Sequence, residues 1–303
     1  MAGVKEIKDR MKSIRDTQKI TNAMYLISST KLQKAKSERE KTNPYFEALR
    51  KEIRSIFRST EEVDSRYFYP DADAETDEGT FGLLVITADK GLAGAYNQNV
   101  IKKAELLMRE HPDTKLYVVG EYGRQYFLRK HIPIEHSFLY TAQNPTMQRA
   151  REISSILLDR FDKDELDKIF MIYTEMKSSM NAEANTTRLL PFHRSHFMTK
   201  EQQPVENNKE EYEFFPSWGE LLDNIMFSYV SGYIYSALVD SFCSEQNARM
   251  TAMSSANENA EKILGELAIQ YNHVRQANIT QEITEVVAGA KAQKKKRMRE
   301  VSG

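Results

Sequence analysis

A chain of 303 residues with 40% apolar and 10% aromatic side chains has enough apolar material for a core and room for two domains, which excludes a disordered polymer. Its 43 Lys and Arg offset 44 Asp and Glu to a formal net charge of -1, but the charge is zoned: Met1 to Lys41 carries about six net positive charges and Glu61 to Glu78 is acidic. A single cysteine, Cys243, excludes an internal disulfide and a multi-cysteine metal cluster, and no window holds the roughly 18 consecutive apolar residues of a membrane helix. The basic start lacks the apolar core of a signal peptide, and Glu6, Asp9 and Asp16 argue against a mitochondrial presequence.

Val4, Ile7, Met11 and Ile14 open a three-and-four seam that continues through Tyr25, Leu32 and Ala35 and resumes at Phe46, Leu49, Ile53 and Ile56. That spacing predicts an amphipathic helix, with a kink where Pro44 removes a backbone donor and restricts Asn43. After an acidic linker containing Pro70 and Gly79 the signal changes to strand. Phe81 to Thr87, Lys115 to Gly120, Ile132 to Tyr140 and Lys168 to Thr174 read as strands, with helices at about 97–109, 123–130 and 146–161 between them. Continuous apolar strands alternating with helices predict a largely parallel sheet covered on both faces. Thr187 to Pro191 and Gln203 to Phe215 read as a polar return with edge strands.

Ser217, with Glu220 three residues on, is a capping box that starts the last helix. From Leu222 the small or apolar positions step by three and four through Ile225, Tyr229, Gly232, Ser236, Val239 and Cys243, then Met250, Met253, Ala260, Leu264, Leu267, Tyr271 and Val274. A seam kept this long is a coiled-coil signature, and at about 1.5 Å per residue Ser217 to Ala292 would span roughly 110 Å. The two ends are therefore expected to pair as one antiparallel coiled coil carrying an inserted α/β, Rossmann-like domain, a mixed α+β architecture. The expected boundaries are an N-terminal helix at 1–58, an acidic linker at 59–79, the α/β domain at 80–215, and a C-terminal helix with a basic tail at 216–303.

Few residues point to chemistry. Ala88 to Asn97 (ADKGLAGAYN) is a glycine turn between a strand and a helix, where phosphate loops sit, but neither the phosphate-loop spacing nor the three-glycine dinucleotide fingerprint is present. It reads as a tight connection. His193 and His196 have no accompanying cysteine or carboxylate triad, so no metal or catalytic role is expected of them. The carboxylates read as solvated charge on helix faces, and Cys243 as a small seam residue. The basic patches at Lys5 to Lys19 and Lys291 to Arg299 lack the aromatic residues or reading motif of a nucleic-acid binder, so an acidic protein surface is the better partner. Polar entries in the seam, Gln18, Thr21, Ser28, Gln246, Asn257, Asn278, Gln281 and Glu285, either fix register or face another molecule.

Three separated blocks carry a resemblance. MAGVKEIKDRMKSIRDTQKITNAM at the start, ITADKGLAGAYN in the middle, and SEQNARMTAMSSANENA followed by YNHVRQANITQEITEVVAGA at the end are similar to the gamma subunits of rotary F-type ATP synthases. The resemblance covers essentially the whole chain, least between Arg58 and Thr80 and from Thr199 to Phe214. It implies a central rotor stalk without a catalytic site, cofactor or metal of its own. The terminal helices would sit inside a ring of three alpha and three beta subunits, and the α/β body would lie near the epsilon subunit and the c-ring. The chain would be peripheral to the membrane, on the cytoplasmic side of a bacterial inner membrane. Matched residue by residue, ring contacts would fall at Met24, Arg249, Arg275, Gln276 and Thr280. Ala93 stands where many relatives have cysteine, the paired-cysteine insert of thiol-switched relatives is lacking, and a basic tail follows Ala290. Left to the residues alone, a coiled-coil scaffold for acidic partners and a nucleotide-binding enzyme with helical arms are the other readings. Neither accounts for the terminal blocks.

Overall fold

Helix α1 runs Ala2–Ser59 in the computed structural model, which describes residues 2–59, 65–69, 79–139, 142–177, 182–193, 197 and 218–301. The helix continues through Pro44. After it come β1 (Phe81–Ile86), α2 (Tyr96–Glu110), β2 (Thr114–Val119), α3 (Glu121–Arg129), β3 (His136–Phe138), α4 (Met147–Asp162), β4 (Lys168–Met176), β5 (Ala182–Leu190) and α5 (Trp218–Val301). The chain forms two compact units, Ser28–Met250 and a second made of Met1–Ile27 with Thr251–Gly303.

In the larger unit the strands make one sheet in the order β3-β2-β1-β4-β5. β1 is parallel to β2 and β4, β2 is parallel to β3, and only the edge strand β5 is antiparallel, against β4. The central strand β1 is apolar and buried along its whole length because both faces of the sheet are covered, whereas the edge strands β3 and β5 are more polar and partly exposed. Phe81, Leu83 and Val85 of β1 enter one core with Val100, Ile101 and Ala104 of α2 and Phe127 of α3. Leu84 and Ile86 enter the other, with Ile153 and Leu157 of α4, Ile53 and Phe57 of α1, and Leu222, Met226 and Val230 of α5.

Two expected elements differ in extent. The third strand shrinks to three residues, because Ile132 donates its amide to the Phe127 carbonyl at 3.0 Å and so closes the end of α3. β5 starts at Ala182, before the expected Thr187, paired with β4 from Met176 inward. Ser217 and the segment 203–215, where a cap and a further edge strand are expected, lie outside the described residues.

In the smaller unit the burial of α1 follows the predicted seam: Val4, Ile7, Met11, Ile14, Gln18, Thr21 and Tyr25 are half-buried between exposed neighbours. On α5 the facing positions are Met253, Ala260, Leu264, Leu267, Tyr271 and Val274. The seam is antiparallel: the Thr21 hydroxyl reaches Asn257 Oδ1, and Gln18 Nε2 donates to Glu261 Oε1 at 3.4 Å. A polar pair inside an apolar seam costs stability but discriminates against slipped registers.

Candidate functional site

The register set by Thr21 and Asn257 brings the start of α1 opposite about Gln276, and Asn278 is the last half-buried residue described on α5, so α5 has no antiparallel partner among the described residues beyond that point. Every side chain described from Ile279 to Gln293 is exposed. Four of them are large and apolar, Ile279, Ile283, Val286 and Val287, with exposures of 46 to 72%. Spaced at i, i+4, i+7 and i+8, they lie on one face of the helix. An apolar face left open on a helix otherwise built for pairing is a candidate docking face. Gln281 and Glu285, seam entries by their sequence spacing, instead bond to each other along the exposed surface at 2.9 Å.

Four residues matched from the resemblance belong to this unit. Arg275, Gln276 and Thr280 are exposed on α5, and Met24 is half-buried on α1. Gln276 and Thr280, four apart, share a face, while Arg275 is turned about 100° from Gln276. The guanidinium and the amide are thus presented outward one turn before the apolar face, on a rigid element.

Arg249 is placed differently. It lies in the larger unit and is 8% exposed. One guanidinium nitrogen sits 2.7 Å from Glu245 Oε1 and donates to the Gly91 carbonyl at 3.1 Å and the Lys90 carbonyl at 3.5 Å. Burial pushes the Glu245 carboxyl above the usual range, Arg249 pulls it back, and Asp89 adds to the negative surroundings. Carboxylates that read from sequence as solvated charge are here enclosed: Glu245 and Asp240 are both buried, and the i,i+4 spacing of Glu245 and Arg249 is the one signal in the sequence that points to it.

Arg249 holds the glycine turn that follows β1. In an open α/β sheet, ligands bind at the carboxyl ends of the strands where the strand order reverses, here beside β1. In this chain α5 fills that crevice. Ser244 donates to the Thr174 carbonyl of β4 and Ser241 accepts the Thr174 amide, both at 3.3 Å. The turn's own groups are also engaged: the Ala88 amide donates to Asn97 Oδ1 and Asp89 Oδ1 accepts the Glu121 amide, each at 2.9 Å. Leu92 and Gly94 take left-handed backbone angles of φ 63° and 55°. With its carbonyls turned to an arginine and carboxylates beside it, the turn has the polarity opposite to a phosphate cradle.

His193 stacks on Tyr69 with ring centroids 4.7 Å apart, and its Nε2 lies 2.7 Å from Arg188 Nη1. Burial and that arginine both lower its basicity. His196 lies outside the described residues, and no group of three metal-ligating side chains occurs among the described ones. No helix is long and apolar enough to cross a membrane among the described residues.

Comparisons with known proteins agree with one another. The ATP synthase family model matches residues 3–293. The ATP synthase gamma chain of Acetivibrio thermocellus is 42% identical over 299 residues, covering 97% of this chain and all of that one. The gamma chain of Caldanaerobacter subterraneus is 42% identical over 295 residues, covering 95% and 99%. In fold, the chain is similar to one in the Euglena gracilis mitochondrial ATP synthase structure containing OSCP, F1 and c-ring, with a TM-score of 0.68, 14% identity, and coverage of 96% and 95%.

Proposed function

This chain belongs to the ATP synthase gamma-chain family, the non-catalytic central stalk of the F-type enzyme, and from that premise we propose how it couples rotation to catalysis. The exposed end of α5, with Met24 on α1, works inside a ring of three alpha and three beta subunits. The sheet-bearing unit meets the epsilon subunit and the c-ring. ATP chemistry takes place in the ring, and the chain is held at the cytoplasmic face of a bacterial inner membrane through the complex.

The observation that carries this reading is the stretch of α5 from Arg275 to Val287, exposed donors followed by one apolar face. A rotor drives catalysis only when its orientations contact the three catalytic subunits unequally, because equal contacts shift no population. Switching one subunit from about 1:99 to 99:1 takes about 5.5 kcal/mol of differential contact. Hydrogen bonds to charged groups contribute about 1.5 to 3 kcal/mol each, so about two to four made in one orientation suffice. Arg275 supplies a permanent, forked charge, and Gln276 and Thr280 add neutral groups beside it. The apolar face beyond supplies a bearing, because non-directional contacts permit turning where hydrogen bonds would hold one angle.

Co-expression with the alpha and beta subunits of the same organism tests the reading. One copy per three alpha-beta pairs, with ATP turnover absent from this chain alone, is the expected result. In inverted vesicles the double variant Arg275→Ala, Gln276→Ala should assemble yet lose ATP synthesis by at least about tenfold, the factor of one charge-assisted hydrogen bond. Unchanged synthesis would remove these residues from the coupling surface.

A further inference from the structure

We infer that Arg249 is a positioning residue that latches the turn after β1 to α5 and so carries torque between the sheet and α5, rather than a contact to the surrounding ring. The inference rests on the stalk reading above. Arg249 lies at the last turn of α5 within the larger unit, immediately before the helix passes Thr251. Its side chain is 10% exposed and that of Glu245 8%, so the guanidinium's partners are within the chain.

The site is built for shear. Ala248, one residue before the arginine, packs on Ala88, Ala93 and Tyr96, which tie the turn to the end of β1 and the start of α2. Asp89 in the same turn holds the Glu121 amide at the start of α3. Apolar packing alone resists separation but not sliding. A guanidinium bonded at once to a carboxylate on its own helix and to carbonyls on the turn fixes direction as well as distance. Rotation applied to the sheet is therefore delivered to α5 at the crevice that other open α/β sheets leave for a ligand.

The test uses the assembled, membrane-bound complex with wild type, Arg249→Ala, Arg249→Lys and Glu245→Gln. Two quantities are read: amide hydrogen exchange of 87–96, and the ratio of ATP synthesis to ATP hydrolysis. Arg249→Ala should speed exchange in the turn by about tenfold, the factor of one charge-assisted hydrogen bond. It should also lower the coupling ratio by at least about fivefold, the lower end of ordinary coupling between sites. Arg249→Lys, which keeps the charge without the fork, and Glu245→Gln should shift both readouts in the same order, and they decide the matter if the alanine variant does not assemble. A fall in coupling with the turn's exchange unchanged would move Arg249 to the ring and overturn the latch. Faster exchange with coupling unchanged would make the contact merely structural and overturn it equally. Failure of the wild-type chain to assemble would instead sink the stalk reading on which the latch depends.

Discussion

Asp240 shows what enclosure does to a single residue. It faces Arg39 of α1 at 2.8 Å in a geometry that leaves Asp240 Oδ1 and Arg39 Nε without a hydrogen bond, so the pair is an imperfect match for what both groups lost on leaving water. Burial raises its carboxyl from the ordinary 3.8 to about 6, Arg39 opposes that rise, and Glu175 adds to it. Between those values the folded state holds a proton that the unfolded chain has released, so stability falls as pH rises through that window. The full loss, roughly 3 kcal/mol, is reached above the upper value. Asp240→Asn should therefore flatten the stability curve between about pH 4 and 6, read as urea midpoints of the two proteins across that range. Parallel curves would show that Asp240 titrates normally. The same reasoning explains why this residue and Glu245 escape a reading of the sequence: a carboxylate on a helix reads as solvated unless both sides of the helix are known to be covered.

At the scale of elements, α5 between Tyr229 and Gln246 is buried nearly all round, because α1 lies on one side and the sheet on the other. A single three-and-four stripe therefore understates its burial. Gly232 marks a close approach of α1 and α5 in the larger unit: a Cβ there would lie 1.8 Å from a Phe46 ring atom. Alanine at position 232 would gain helix propensity of up to about 1 kcal/mol but overpack the contact at about 1 to 3 kcal/mol. The clash wins, so Gly232→Ala should lower the urea midpoint, and adding Phe46→Leu should restore part of it. A Cβ added at Gly265 would meet nothing within 4 Å, so Gly265→Ala should instead stabilise the free chain by about 0.5 to 1 kcal/mol. If both glycine variants moved the same way, propensity rather than packing would govern position 232.

For the whole molecule, the end of α5 is left exposed by its own chain. Side chains from Ile279 to Gln293 are exposed, so ending the chain after Asn278 should leave its urea stability within about 0.5 kcal/mol while weakening its association with the alpha-beta ring. A drop in stability of several kcal/mol would mean that this stretch folds back on its own chain. Spacing and composition alone encode the seam through Val4, Ile7 and Met11, the strands at Leu83 to Ile86 and Leu116 to Val119, and the terminal blocks that carry the family. That the glycine turn is held by Arg249, that Asp240 and Glu245 are enclosed, and that the seam stops at Asn278 with Gln281 and Glu285 outside it emerge only once the elements are packed. The physical reason is that periodicity reports which face of an element is apolar, whereas burial of a charge, or its release, depends on which distant element the fold brings against that face.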